Sequence, residues 1–96
     1  MYGSIRQYKV DSSVVIRILQ QFQQELIPII RAMPEYKAFY VITKGTESMV
    51  TVAIFDSREG ANRADLEVQG MLQGMGALVL TLPGDLSGEV TIRIER

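Results

Sequence analysis

The sequence predicts a two-layer α+β domain spanning residues 1–96, in the order strand, helix, strand, strand, helix, strand. Three observations predict it. Apolar and polar residues alternate with a period of two in the first and last segments. Two intervening segments repeat their apolar residues at helical spacing. Both middle strands carry apolar residues on both faces, so a single helical layer cannot cover them, and the second face calls for another copy of the chain.

The first strand is Tyr2 to Val10, with Tyr2, Ser4, Arg6 and Tyr8 on one side and Gly3, Ile5, Gln7 and Lys9 on the other. Asp11, Ser12 and Ser13 supply oxygens suited to capping a helix. Val15, Ile18, Leu19, Phe22, Leu26, Ile29, Ile30 and Met33 then form one apolar stripe, opposite Arg17, Gln20, Gln21, Gln24 and Arg31. Pro28 lacks a backbone donor and crowds the preceding turn, so a kink or a new short helix is expected near Gln24–Glu25. Pro34 closes the helix.

Tyr36–Thr43 and Ser48–Phe55 read as a hairpin across Lys44-Gly45-Thr46-Glu47. Pairing Thr43 with Ser48 puts Phe39, Val41, Val50, Val52 and Ile54 on the core face. The other face then holds Ala38, Tyr40, Ile42, Met49, Thr51, Ala53 and Phe55. A slip of one residue would exchange these faces.

Asp56 to Glu59 reads as a capping box for the second helix, whose apolar side is Ala61, Ala64, Val68, Met71, Leu72 and Met75. Gly70, Gly74 and Gly76 weaken its end, with a break expected near Gly74–Gly76. Ala77–Leu82 is a short helical or extended segment and Pro83-Gly84-Asp85 a loop. Gly88–Arg96 is the last strand, with Val90, Ile92 and Ile94 towards the core. Two right-handed strand–helix–strand units give a ferredoxin-like antiparallel sheet in the order fourth, first, third, second, with both helices on one face. The open face is expected to gather Tyr40, Thr51, Met49, Ser4, Arg6, Tyr8, Thr91 and Arg93.

Composition bounds the chemistry. A hydrophobic fraction of 47% and a formal net charge of −1 describe a globular domain without a basic footprint for nucleic acid or anionic membrane. The longest mainly apolar stretch, Met75–Leu82, is too short to span a bilayer, and the first residues lack the pattern of a signal peptide. With no Cys, a reducing cytoplasm is the expected location. With no His either, Ser-His-Asp and Cys-His catalysis are excluded, as is haem on a His or Cys ligand; acid–base work falls to Asp, Glu, Tyr or Lys. No metal site is expected, since Asp56, Glu59, Asp65 and Glu67 read as a cap and a solvated face.

The segments Tyr2–Val10, Leu26–Tyr36, Phe55–Ala61 and Gly88-Glu89-Val90 together resemble the dimeric α+β barrel superfamily, most closely small proteins of the antibiotic-biosynthesis monooxygenase type. The resemblance spans essentially the whole chain. It implies two sheets packed face to face across a two-fold axis, as a homodimer through the open sheet face. It also implies a pocket in each subunit and, among other activities, cofactor-independent oxygenation of aromatic polyketides and quinols. The absence of His separates this chain from haem-degrading relatives with a His ligand, and the absence of Trp removes an aromatic that often lines family pockets.

Oxygenation without a cofactor needs an electron-rich substrate beside a group that forms its anion. Tyr40, Arg93, Tyr8 and Arg6 are the catalytic candidates: Arg stabilises a phenolate or enolate, and Tyr donates or relays a proton. Their alternative role is structural, the Tyr side chains packing at a dimer seam and the Arg side chains pairing with Glu89 or Glu95. Tyr36, Thr51, Met33 and Met71 are candidates to bind a small apolar or aromatic ligand; Tyr36 could equally be a strand-edge aromatic and the Met residues core. Gly70 to Gly76 follows no strand and lacks Lys, which argues against a nucleotide loop. The hairpin lacks the exposed aromatics and basic neighbours of an RNA-binding sheet. The competing function is a non-catalytic dimeric module that binds a small ligand or regulates a partner.

Overall fold

The computed structural model describes residues 1–45, 47–76, 78–81 and 86–95. β1 (Tyr2–Val10) alternates towards the helical layer through Ser4, Tyr8 and Val10, all buried. Asp11 ends the strand and accepts from the Ser13 backbone N–H at 2.9 Å and the Ser13 hydroxyl at 2.8 Å. These bonds, the backbone one foremost, hold its carboxyl below the usual range.

A 3-10 turn (Ser12–Val14) leads into α1 (Val15–Gln21), a π-helical segment (Phe22–Leu26) and α2 (Ile27–Arg31). Ile18, Phe22, Leu26 and Ile30, four residues apart in turn, are the buried stripe. Pro28 cannot donate to the carbonyl of Gln24, and the hydrogen-bond ladder is re-phased just before it, with the Ile27 N–H reaching back to Phe22 O. The expected irregularity is thus a π-turn within one helical path.

β2 (Tyr36–Lys44) and β3 (Ser48–Phe55) pair one residue out of the expected register: Lys44 lies opposite Ser48, Thr43 opposite Met49 and Tyr40 opposite Val52. The loop is one residue shorter than expected, with Gly45 at φ 65° taking the left-handed conformation where the chain leaves β2. The slip exchanges the faces of β3. Met49, Thr51, Ala53 and Phe55 are buried beneath the helices, and Val50, Val52 and Ile54 lie on the open face. β1 pairs with β3 in matching phase, Arg6 opposite Thr51 and Tyr8 opposite Met49, so Ser4, Arg6 and Tyr8 also belong to the helix side, not the open face.

α3 (Arg58–Gly74) is capped by Ser57, whose Oγ accepts from the Gly60 N–H at 3.1 Å, rather than by Asp56. Asp56 instead pairs with Lys37 at 3.4 Å. Ala61, Ala64, Asp65, Val68 and Leu72 form the buried side of α3, and Gly76, at φ 65°, marks the expected break.

The sheet order is β2-β3-β1-β4, the predicted order, but its fourth position is shared. β4 (Leu78–Thr81) pairs with the Tyr8–Val10 end of β1, and β5 (Gly88–Glu89) pairs with Tyr2 and Gly3. Ala77 and the expected loop Pro83–Asp85 lie outside the described residues. Among the described residues the long last strand is not formed: β5 covers Gly88–Glu89 alone, and the Val90 N–H then bonds Met1 O at 2.9 Å. Ile92 and Ile94, expected in the core, are 81% and 91% exposed.

Candidate functional site

Alternation along β1 points Ser4, Arg6 and Tyr8 at α3, and the helical period brings Asp65 down to meet them, between Ala61 and Val68. Ser4 Oγ donates to Asp65 Oδ2 at 2.5 Å, and Arg6 Nε donates to the same oxygen at 3.1 Å. Ser87 Oγ in turn donates to Ser4 Oγ at 3.1 Å. Asp65 is 3% exposed, so its charge is accommodated by this pairing rather than by water. Its second oxygen, Oδ1, is buried without a hydrogen-bond partner among the described residues, as are Tyr8 Oη and Thr51 Oγ1.

Burial raises the Tyr8 phenol above its ordinary pKa, and the Asp65 carboxylate adds to the rise. Gln69, Thr51 and the Arg6 charge oppose it in part, although neither Gln69 nor Thr51 makes a well-formed hydrogen bond to Tyr8 Oη. Tyr8 is therefore a neutral donor at physiological pH. The arrangement sets a fixed carboxylate, one oxygen held and the other buried without a hydrogen-bond partner among the described residues, near a protonated phenol.

An apolar cleft of about 330 Å³ opens on the same side of the sheet, between the π-turn (Phe22, Gln23) and β2 (Phe39, Val41). The strand register sets Val41, Thr51 and Arg6 side by side across three neighbouring strands. Thr51 thus stands between the cleft wall and the Arg6–Asp65 pair, a span of roughly 10 Å at the usual strand spacing.

The open face carries a second concavity of about 590 Å³, where Tyr40, Ala38 and Ile54 face Val90, Arg93 and Glu95. Arg93 Nε lies 3.1 Å from Glu95 Oε1, both side chains more than half exposed. The four catalytic candidates accordingly fall into two pairs on opposite sides of the sheet: Tyr8 with Arg6 inside, Tyr40 with Arg93 outside. Of the ligand-binding candidates, Thr51 joins the interior pair. Tyr36 packs edge-on against Phe55 with ring centroids 5.9 Å apart, and Met33 and Met71 are half-buried against the core.

Asp65 and Ser4 are the members of the interior cluster that sequence reasoning passed over. The signal for Asp65 was its phase: positions 61, 65, 68 and 72 share one helical face, and the other three are apolar. Among the described residues no cluster of three or more His, Cys, Asp or Glu could hold a metal ion. Nor is any described helix long and apolar enough to cross a membrane.

No protein-family model matches the chain, and no curated protein is similar to it in sequence. Solved structures are similar in fold over almost its full length. A candidate antibiotic biosynthesis monooxygenase from Chloroflexus aurantiacus superposes with a TM-score of 0.70 at 12% identity, covering 98% of this chain and 96% of that one. The ActVA-Orf6 monooxygenase of Streptomyces coelicolor, in complex with nanaomycin D, gives 0.70 at 14% identity, covering 99% and 91%. The chain shares the ferredoxin-like fold of these structures. A dimeric ferredoxin-like protein from an uncultured marine organism matches at 0.63 and 11% identity, covering 99% and 97%. At these identities the likeness is one of fold, and the chemistry must be argued from the residues that this fold positions.

Proposed function

We propose that the chain is a monooxygenase-like enzyme acting on an aromatic or quinol-type small molecule, without metal or organic cofactor. The observation that carries this reading is the Asp65 carboxylate, buried at 3% exposure, with Oδ2 fixed by Ser4 and Arg6 and Oδ1 without a hydrogen-bond partner among the described residues. A hydroxyl or acidic C–H of an aromatic guest would meet Oδ1 as the proton acceptor, while Tyr8 donates to the oxygen that becomes anionic. Arg6 balances the charge. The apolar cleft beyond Thr51 suits the ring system.

The substrate supplies the electrons and dioxygen is the oxidant. The carbanion formed at an activated CH₂ bonds to one oxygen atom, giving a hydroperoxide. Loss of the second C–H proton with cleavage of the O–O bond leaves a carbonyl and one water.

In this reading Tyr40 and Arg93 belong to a seam between two copies joined through the open sheet face. Tyr40 and Ile42, 58% and 53% exposed beside half-buried Val50, Val52 and Ile54, support that pairing. The dimeric state of a fold neighbour is consistent with it. A chain without Cys fits the cytoplasm.

The test is dioxygen consumption with 1,8-dihydroxyanthrone and a hydroquinone as probes. Uptake that Asp65→Asn and Tyr8→Phe each lower by at least tenfold is expected. No uptake above buffer with either probe, or full uptake in both variants, overturns the proposal. Ligand retention in the cleft without turnover would favour the non-catalytic binding module.

A further inference from the structure

Thr51 is a polar residue where packing asks for none. It lies fully buried on the helix side of β3, between Met49 and Ala53 along its strand, opposite Val41 on β2 and Arg6 on β1. Its Oγ1 has no hydrogen-bond partner among the described residues. Valine has nearly the same shape and no hydroxyl to strip of water, so a core strand gains nothing from threonine at this position. A partner from outside the chain would restore the missing bond.

Two neighbours indicate the chemistry of that partner. Val41, directly opposite Thr51, also lines the apolar cleft between the π-turn and β2, so Thr51 stands one strand spacing, about 4.8 Å, from the cleft wall. Towards β1, Tyr8 is the diagonal neighbour of Thr51 across the ladder, a separation that an aromatic side chain bridges. The Tyr8 phenol oxygen also lacks a partner among the described residues, and Thr51 partly offsets the rise in its pKa, as two oxygens at close quarters would. A guest oxygen bound by Tyr8 therefore has Thr51 beside it. A hydroxyl both donates and accepts, so Thr51 suits a second oxygen on the adjoining ring position.

We propose that Thr51 is the specificity residue of the interior site: its hydroxyl binds a second guest oxygen next to the one held by Tyr8, selecting ring systems that carry a hydroxyl beside the carbonyl or phenol oxygen. This rests on the Tyr8–Asp65 reading given under the proposed function and adds the substrate class. A guest with the second oxygen gains a hydrogen bond in a water-free setting. One without it leaves the Thr51 hydroxyl as unpaired as before.

Anaerobic binding titrations of the full chain test it, with 1,8-dihydroxyanthrone and with anthrone, which lacks the two hydroxyls, alongside dioxygen uptake. The parent chain is expected to bind the dihydroxy probe about fivefold more tightly, the gain of one net hydrogen bond, and Thr51→Val to bind both probes alike. Thr51→Ser keeps the hydroxyl and should keep the preference, as should Thr43→Val, an exposed position at the end of β2. The urea midpoint of Thr51→Val should be no lower than that of the parent. A lower midpoint means that the hydroxyl is already bonded within the chain, and overturns the proposal. A preference that survives in Thr51→Val overturns it as well. Selective binding without dioxygen uptake overturns the enzyme reading and leaves the Thr51 contact standing; uptake with equal affinity for both probes does the reverse. Binding of neither probe overturns both.

Discussion

Ser4 Oγ sits 2.5 Å from Asp65 Oδ2, joining β1 to α3 across 61 positions of sequence through a buried charge-assisted bond. Because the acceptor is a carboxylate inside the core, this contact should weigh more than an ordinary hydroxyl bond. Ser4→Ala is expected to lower unfolding stability by about 1.5–3 kcal/mol, the range for hydrogen bonds to charged groups. Urea denaturation measures it, and a loss under about 0.5 kcal/mol would place the Ser4 hydroxyl outside the cluster.

Tyr8 should be the protein's alkaline weak point. Its folded pKa is raised by burial and then by Asp65, so the unfolded chain releases the phenol proton first. The stability it contributes is complete below the unfolded value near pH 10 and is lost as pH rises through the folded value. Unfolding midpoints between pH 9 and 11 should fall less steeply in Tyr8→Phe than in the parent. Equal slopes would mean that the phenol titrates normally.

Ser57→Ala removes the oxygen that receives the Gly60 N–H and should cost about 1 kcal/mol, while Asp56→Ala, whose carboxylate caps nothing, should cost less. Chemical denaturation of the two variants side by side decides which residue is the cap.

A chain that folds as a pair melts at a temperature that depends on how much of it is present. The thermal midpoint should rise steadily as protein concentration is raised from about 1 to 100 μM, and the rise should vanish in Val52→Glu. A midpoint independent of concentration in the parent chain would speak for a monomer.

The elements and their order were readable from period alone, because each stripe is long and apolar. The faces were not. β3 has apolar residues at both parities, Val50, Val52 and Ile54 against Met49, Ala53 and Phe55, so alternation cannot choose between them; one residue of hairpin loop does. That single choice displaced Thr51, Tyr8, Arg6 and Ser4 from the outside of the sheet to the inside. Asp65 was hidden for a different reason: a carboxylate on a helix is ordinarily solvated, and its partner is remote in sequence. The tail was misread because Ile92 and Ile94 have the pattern of a core strand, and alternation does not say whether a strand is there to pair with them.

The broken fourth position of the sheet has a bearing on how the molecule behaves in a crowded solution. One rim of the sheet is made of two short pieces, Leu78–Thr81 and Gly88–Glu89, and the other of nine unbroken residues in β2. A rim in fragments is a poor template for an incoming strand, so stacking on that side is discouraged. Among the described residues, β2 is the rim where an added strand would find an unbroken row of backbone partners.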